Sequence, residues 1–108
     1  MKKCVFLILF LLIGFASKAN SLLIPMDDAQ RNHLKAYGLA YFSIKHDVAV
    51  QWLLNYRGGS FLIPFSTSIQ GECVVRGVSY EVISSARENA ILKEIAAPAV
   101  NMDIVWLE

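Results

Sequence analysis

The residues best suited to chemistry fall in two short stretches of this 108-residue chain. In Asn55-Tyr56-Arg57-Gly58-Gly59-Ser60, the Arg57 guanidinium has the fork geometry that grips a carboxylate or phosphate. Gly58 and Gly59 would let the backbone come close to such a group. Asp27 and Asp28 form the second stretch and are candidate acid-base or metal-binding carboxylates. These five residues are the candidate ligand-binding positions, with Arg57, Gly58 and Gly59 the ones suited to a small anionic group. Each stretch also has a purely local explanation. Residues 55–60 read as a glycine turn with a solvated arginine, and Asp27 and Asp28 as a helix N-cap followed by a first-turn acid.

The other reactive types lack partners. His33 and His46 are separated by twelve intervening residues, and no cysteine or carboxylate stands at a zinc-ligand spacing from them, so both are expected at the surface and no metal is expected. Cys73 sits in Gly71-Glu72-Cys73-Val74-Val75, which lacks the second small residue of a nucleophile elbow, and it is expected to be buried and inert. Neither GxGxxG nor GxxxxGK occurs, so no nucleotide cofactor is expected, and no catalytic constellation is assembled within the chain.

Periodicity supplies the elements that would position these groups. Residues 21–24 form a short apolar strand ended by Pro25, and a helix follows over residues 28–45, opened by Asp27 and Gln30 as a capping box. Leu34, Tyr37, Tyr41 and Ile44 provide its apolar stripe, with Gly38 letting it approach a sheet and Phe42 adding to the core. Residues 48–54 (VAVQWLL) read as a strand covered on both faces, Trp52 within it, at the centre of the sheet. Residues 61–65 form a short extended piece broken by Pro64. Thr67 and Gln70 open a second helix, lined by Ile69, Cys73 and Val74 and closed by Gly77, and residues 78–82 alternate as a strand. Ser85 and Glu88 open a third helix with Ile91, Leu92 and Ile95 inward and Pro98 beyond it, and residues 102–107 are strand-like again.

This β-α-β-α-β-α rhythm predicts an α/β, Rossmann- or flavodoxin-like three-layer module with a small parallel sheet, incomplete as it stands. In such a sheet ligands sit beyond the carboxyl ends of the strands, where residues 25–28 and 55–60 would lie.

The amino terminus has the order of an export signal. Lys2 and Lys3 precede an apolar run over residues 4–16, and Ser17-Lys18-Ala19 puts small residues at the third and first positions before a cut. Thirteen apolar residues fall short of the ~20 a membrane-crossing helix needs, so cleavage after Ala19 and no lasting membrane anchor are expected. Residues 20–108 would then form one small module in the periplasm or outside the cell. Removing the leader takes Cys4, leaves Cys73 as the one cysteine, and gives seven basic against nine acidic residues, a net charge near −2. That balance offers nucleic acid nothing. A domain this small, exported and without a disulfide is best stabilised as part of something larger.

Over LLIPMDDAQRNHLKAYGLAYF, WLLNYRGGSFLIPF, ECVVRGVSYEVIS and AVNMDIVWLE, the chain resembles the N-terminal part of a family of exported bacterial proteins often named asparagine synthetase B, whose members are longer. The family name implies a glutamine-hydrolysing half with an N-terminal cysteine and an ATP-pyrophosphatase half with an SGGxDS loop. In this sequence Asn20 stands first after cleavage, and Arg57-Gly58-Gly59-Ser60 echoes only the glycine pair. By analogy the resemblance implies a glutamine-amidotransferase-like, flavodoxin-type fold. The functional expectation is an exported module, non-catalytic by itself, that positions a ligand or packs on a downstream domain of the same polypeptide. The alternatives are part of an amidotransferase-like or hydrolase enzyme whose nucleophile lies beyond residue 108, or one lobe of a solute-binding protein.

Overall fold

The computed structural model describes residues 18–96 and 103–107. In chain order the elements are β1 (Ser21–Ile24), α1 (His33–Lys45), β2 (Val50–Leu54), a 3-10 turn (Tyr56–Gly58), β3 (Ser60–Pro64), α2 (Thr67–Arg76), β4 (Glu81–Ile83), α3 (Ser85–Ala96) and β5 (Asp103–Leu107). Residues 1–17, which carry most of the expected leader, and Pro98 and Met102 lie outside the described residues.

The five strands form one sheet in the order β4-β1-β3-β2-β5, and every neighbouring pair is antiparallel. This overturns the parallel, Rossmann-like sheet and with it the flavodoxin-type analogy. The reason lies in residues 60–64. Pro64 does not break this segment. It ends a full strand, β3, paired with Ser21 at the mouth of β1. The tight link through residues 55–59 makes β2 and β3 a hairpin, and β3 is laid between β1 and β2. β1 and β2 still run the same way, as do β3 and β4, but each pair is separated by one strand. That is the split β-α-β-β-α-β arrangement of ferredoxin-like domains, here extended by α3 and β5. The centre of the sheet is β3, with β2 one place outward.

Both faces of the sheet are covered. Leu22 and Ile24 of β1, Val50 of β2, and Phe61 and Ile63 of β3 meet Ala36, Leu39 and Ala40 of α1 and Ile69 and Cys73 of α2. On the opposite face Leu23, Leu53 and Leu62 meet Ile91 and Ile95 of α3, with Leu92 packed alongside. Burial on both sides explains why β1 and β3 are continuous apolar runs without the alternation of a half-exposed antiparallel strand.

All three helices are capped elsewhere than their sequence signals suggested. At α3 it is Ser84, not Ser85, whose Oγ accepts from Arg87 N at 3.3 Å, and Glu88 bonds Asn20 and Ser21 instead of closing a capping box. Asn32 caps α1, its Oδ1 accepting from Lys35 N at 3.1 Å, and Asp27 instead accepts from Ala29 N at 3.0 Å in a turn of its own. Ser66 caps α2 through Ile69 N, and Gly77 closes it in the left-handed conformation at φ 70°. The buried face of α1 is also displaced. Its small residues Ala36, Ala40 and Ser43 with Leu39 face the sheet, and the Ser43 hydroxyl donates to Leu39 O at 3.0 Å. Leu34 and Tyr41, expected in the core, are 81% and 68% exposed. Small residues win this face because they let α1 lie close to strands whose own side chains are large. Gly38 turns towards α2, where an added Cβ would meet only Arg76 Nη1, at 3.5 Å.

Candidate functional site

Four of the five residues singled out as a ligand site come together at one end of the sheet. β1 and β2 both end there, so the loops that follow them touch. Met26 N donates to Arg57 O at 3.1 Å, and the backbone of residues 26–27 lies directly against Gly58. An added Cβ at Gly58 would stand 2.5 Å from Met26 O, and one at Gly59 3.1 Å from Trp52 Nε1. Gly59 O accepts from that indole N–H at 2.8 Å. The glycines do permit close backbone approach, and the group that approaches is the protein's own first loop.

Arg57 completes the junction. Its Nε donates to Asp27 Oδ2 at 2.8 Å and its Nη1 to Glu81 Oε2, so one guanidinium ties the β1 loop and strand β4 to the hairpin turn. It does so from φ 45°, a left-handed conformation unusual for arginine, next to Gly58 at φ 80° and Gly59 at φ 89°. The bond from Arg57, followed by that from Ala29 N, holds the Asp27 carboxyl below its ordinary value, and the bonds to Asp27 and then Glu81 raise the guanidinium still further. An anion arriving here meets two carboxylates already on the arginine, which leave the triad with a net charge of −1. Asp28 is exposed and outside these pairs.

A second tie, not visible in the sequence, backs the first. Gln30, expected as half of a capping box, is buried. Its Nε2 donates to Pro25 O and Ser79 O, both at 2.9 Å, and its Oε1 accepts from Ser79 N at 2.7 Å and Asn32 N at 3.3 Å. His33 Nε2 lies 3.0 Å from both Met26 O and Asp27 O. Its ring therefore pins the same loop from the first turn of α1. His46 bonds Phe42 O through Nδ1 at 2.8 Å. Cys73 is buried, and burial pushes its thiol up to about 11, away from reactivity at neutral pH.

The sign of the Asp27 shift sets a pH dependence. A carboxyl depressed on folding contributes stability that is full above its unfolded value near 3.8 and is lost as pH falls through the folded value. The thermal midpoint of the wild-type chain should therefore drop below pH 4 by more than that of Arg57→Gln, when each is followed from pH 6 to pH 2. Parallel profiles would show that the pair contributes nothing.

An apolar groove lies elsewhere, between α1 and the β2/β5 side of the sheet. Tyr37, Ala40, Tyr41, Ile44, Trp52, Phe61 and Leu107 line a groove of about 240 Å³. Tyr37 stands edge-on to Phe61 with ring centroids 5.8 Å apart, and Trp52 stacks on Phe61 at 6.1 Å. The sequence reading places Tyr37, Tyr41 and Trp52 in the core, whereas Tyr37 and Tyr41 are more than half exposed. The signal that α1 would leave them at its rim is the run Ala36, Ala40 and Ser43, a narrower and smaller face than the aromatic one.

No family model, curated protein or solved structure matches this chain. Among the described residues no group of three or more histidine, cysteine, aspartate or glutamate side chains could hold a metal ion, and no helix is long and apolar enough to cross a membrane.

Proposed function

We propose that this chain is an exported module whose work is packing and binding within a longer polypeptide, and that the groove between α1 and the β2/β5 side of the sheet is its contact surface. The groove itself carries the reading. Its lining is almost entirely apolar, and Tyr37 and Tyr41 remain more than half exposed beside Trp52 and Leu107. Rigid aromatic side chains at the mouth of a hydrophobic slot are the usual anchors of protein contacts. The Arg57 junction supports the same division of labour, because its charges are spent on holding two loops and a strand together. The resemblance to longer exported proteins named asparagine synthetase B supplies the partner, a downstream domain of the same polypeptide.

Hydrogen exchange tests this. In the full-length gene product, amides of residues 37–44 and 103–107 should exchange at least tenfold more slowly than in residues 20–108 alone, and Tyr41→Glu in the full-length protein should abolish that difference. Equal exchange in the two chains would sink the proposal.

A further inference from the structure

The expected cleavage point lies one residue from the buried sheet. Lys18 and Ala19 are exposed. At Asn20 the chain is already fixed on both sides: its N–H donates to Ile83 O of β4 at 2.9 Å, and its C=O accepts from Phe65 N, just past β3, at 3.0 Å. Its side-chain amide donates to Glu88 Oε2, and the hydroxyl of the next residue, Ser21, donates to Glu88 Oε1 at 2.9 Å. Ser21 is buried. An endopeptidase must hold the chain extended on both sides of the bond it cuts, and such cuts concentrate where the backbone is free. Here the residues on the carboxyl side of the Ala19–Asn20 bond have their backbone and side chains committed to β3, β4 and α3.

We propose that leader removal and closure of β1 into the sheet exclude one another, so that the Ala19–Asn20 bond is cut before β1 is laid between β3 and β4, and folding then seals the site. This rests on the export reading. A leader-removing endopeptidase would add water across the amide. The C–N bond breaks, the water oxygen becomes part of the new Ala19 carboxylate, and the released Asn20 nitrogen takes up protons to become an ammonium. That ammonium keeps Ile83 O as an acceptor, and the side-chain amide keeps its bond to Glu88, so the cut chain can enter the sheet with no bond lost at this point. The strand order fits the same sequence of events. β1 is the first strand made, yet both its neighbours, β3 and β4, come from residues 60–83, so it cannot be placed until they exist.

The test follows cleavage of the complete precursor by purified bacterial leader peptidase, offered either unfolded by rapid dilution from urea or after an hour of folding. The expected result is a cut after Ala19 in the unfolded chain that slows at least tenfold once the chain has folded, because cleavage then waits on transient opening. A second precursor with Gly-Ser-Gly-Ser inserted between Ala19 and Asn20 moves the bond clear of the sheet, and it should be cut at equal speed in both states. Equal cleavage of the folded and unfolded natural precursor would overturn this inference and leave the export reading standing, and persistent resistance of the folded spacer precursor would do the same. No cut after Ala19 in either state would overturn both.

Discussion

Gly58→Ala is expected to destabilise the fold by about 3 kcal/mol, more than any other single methyl group added at a glycine of the described residues. Two effects add. At φ 80° an alanine is strained by roughly 1 kcal/mol. The new methyl carbon would also stand 2.5 Å from Met26 O and 2.8 Å from Met26 C, and both are backbone atoms that cannot swing aside. Relieving that overlap separates the two loops, and forced shifts of this kind cost about 1–3 kcal/mol. It also threatens the bond from Met26 N to Arg57 O and the reach of Arg57 to Asp27. Two controls separate strain from collision. Gly77, at φ 70° with open space around it, should lose only about 1 kcal/mol on change to alanine. Gly71, inside α2 and equally open, should gain up to about 1 kcal/mol from improved helix propensity. Urea unfolding of the three variants measures the ranking. A Gly58→Ala cost no larger than that of Gly77→Ala would mean that the loops do not meet as described.

The second large effect is expected on the other side of the sheet. Ile91 is fully buried in the cluster with Leu23, Leu53, Leu62, Ile83 and Ile95. Ile91→Ala removes a buried side chain and leaves a cavity beneath a helix, and such changes typically cost 2–5 kcal/mol. A value near 3 kcal/mol would identify α3 as the element that covers the second face. Val75→Ala, on the exposed side of α2, should stay within about 0.5 kcal/mol and shows what an apolar truncation costs without burial. If Ile91→Ala proved as mild as Val75→Ala, α3 would not be packed on the sheet.

The segments were legible in the sequence and their arrangement was not. A continuous apolar run such as residues 48–54 says that both faces are covered, but it cannot say whether the neighbouring strand runs with it or against it. The decision lay in residues 60–64. There Pro64 reads as an interruption, yet as the last residue of β3 it occupies a place where proline is tolerated. Once β3 is a strand, the hairpin follows and the sheet becomes antiparallel. Capping signals were likewise ambiguous by a few residues, since Asp27 and Asn32 can both accept from a backbone N–H two or three residues on, and only the bond from Lys35 N to Asn32 decides between them. Of the candidate site, the sequence put residues 25–28 and 55–60 each beyond the carboxyl end of a strand. β1 and β2 do run in the same direction, but it is the insertion of antiparallel β3 between them, not a parallel sheet, that sets where the two loops lie. Glu81, the third member of the Arg57 junction, was hidden because it reaches that site only through the placement of β4 beside β1.

Gln30 shows how narrowly such a fold can specify a residue. A glutamine amide offers two hydrogens and two lone pairs, and here two backbone carbonyls take the hydrogens while two backbone N–H groups take the lone pairs. Nothing is left for water and nothing is left over. Glutamate, nearly identical in shape, would aim an oxygen at the carbonyls of Pro25 and Ser79; asparagine would fall one methylene short; leucine would leave four backbone groups unanswered. At Arg57 the same test gives a looser answer, since a guanidinium near the surface can be replaced at the loss of two ion pairs. Position 30 is therefore the stricter signature of this architecture, and in a chain of similar pattern a glutamine a few residues after the first strand says more about shared structure than the more conspicuous arginine and glycines.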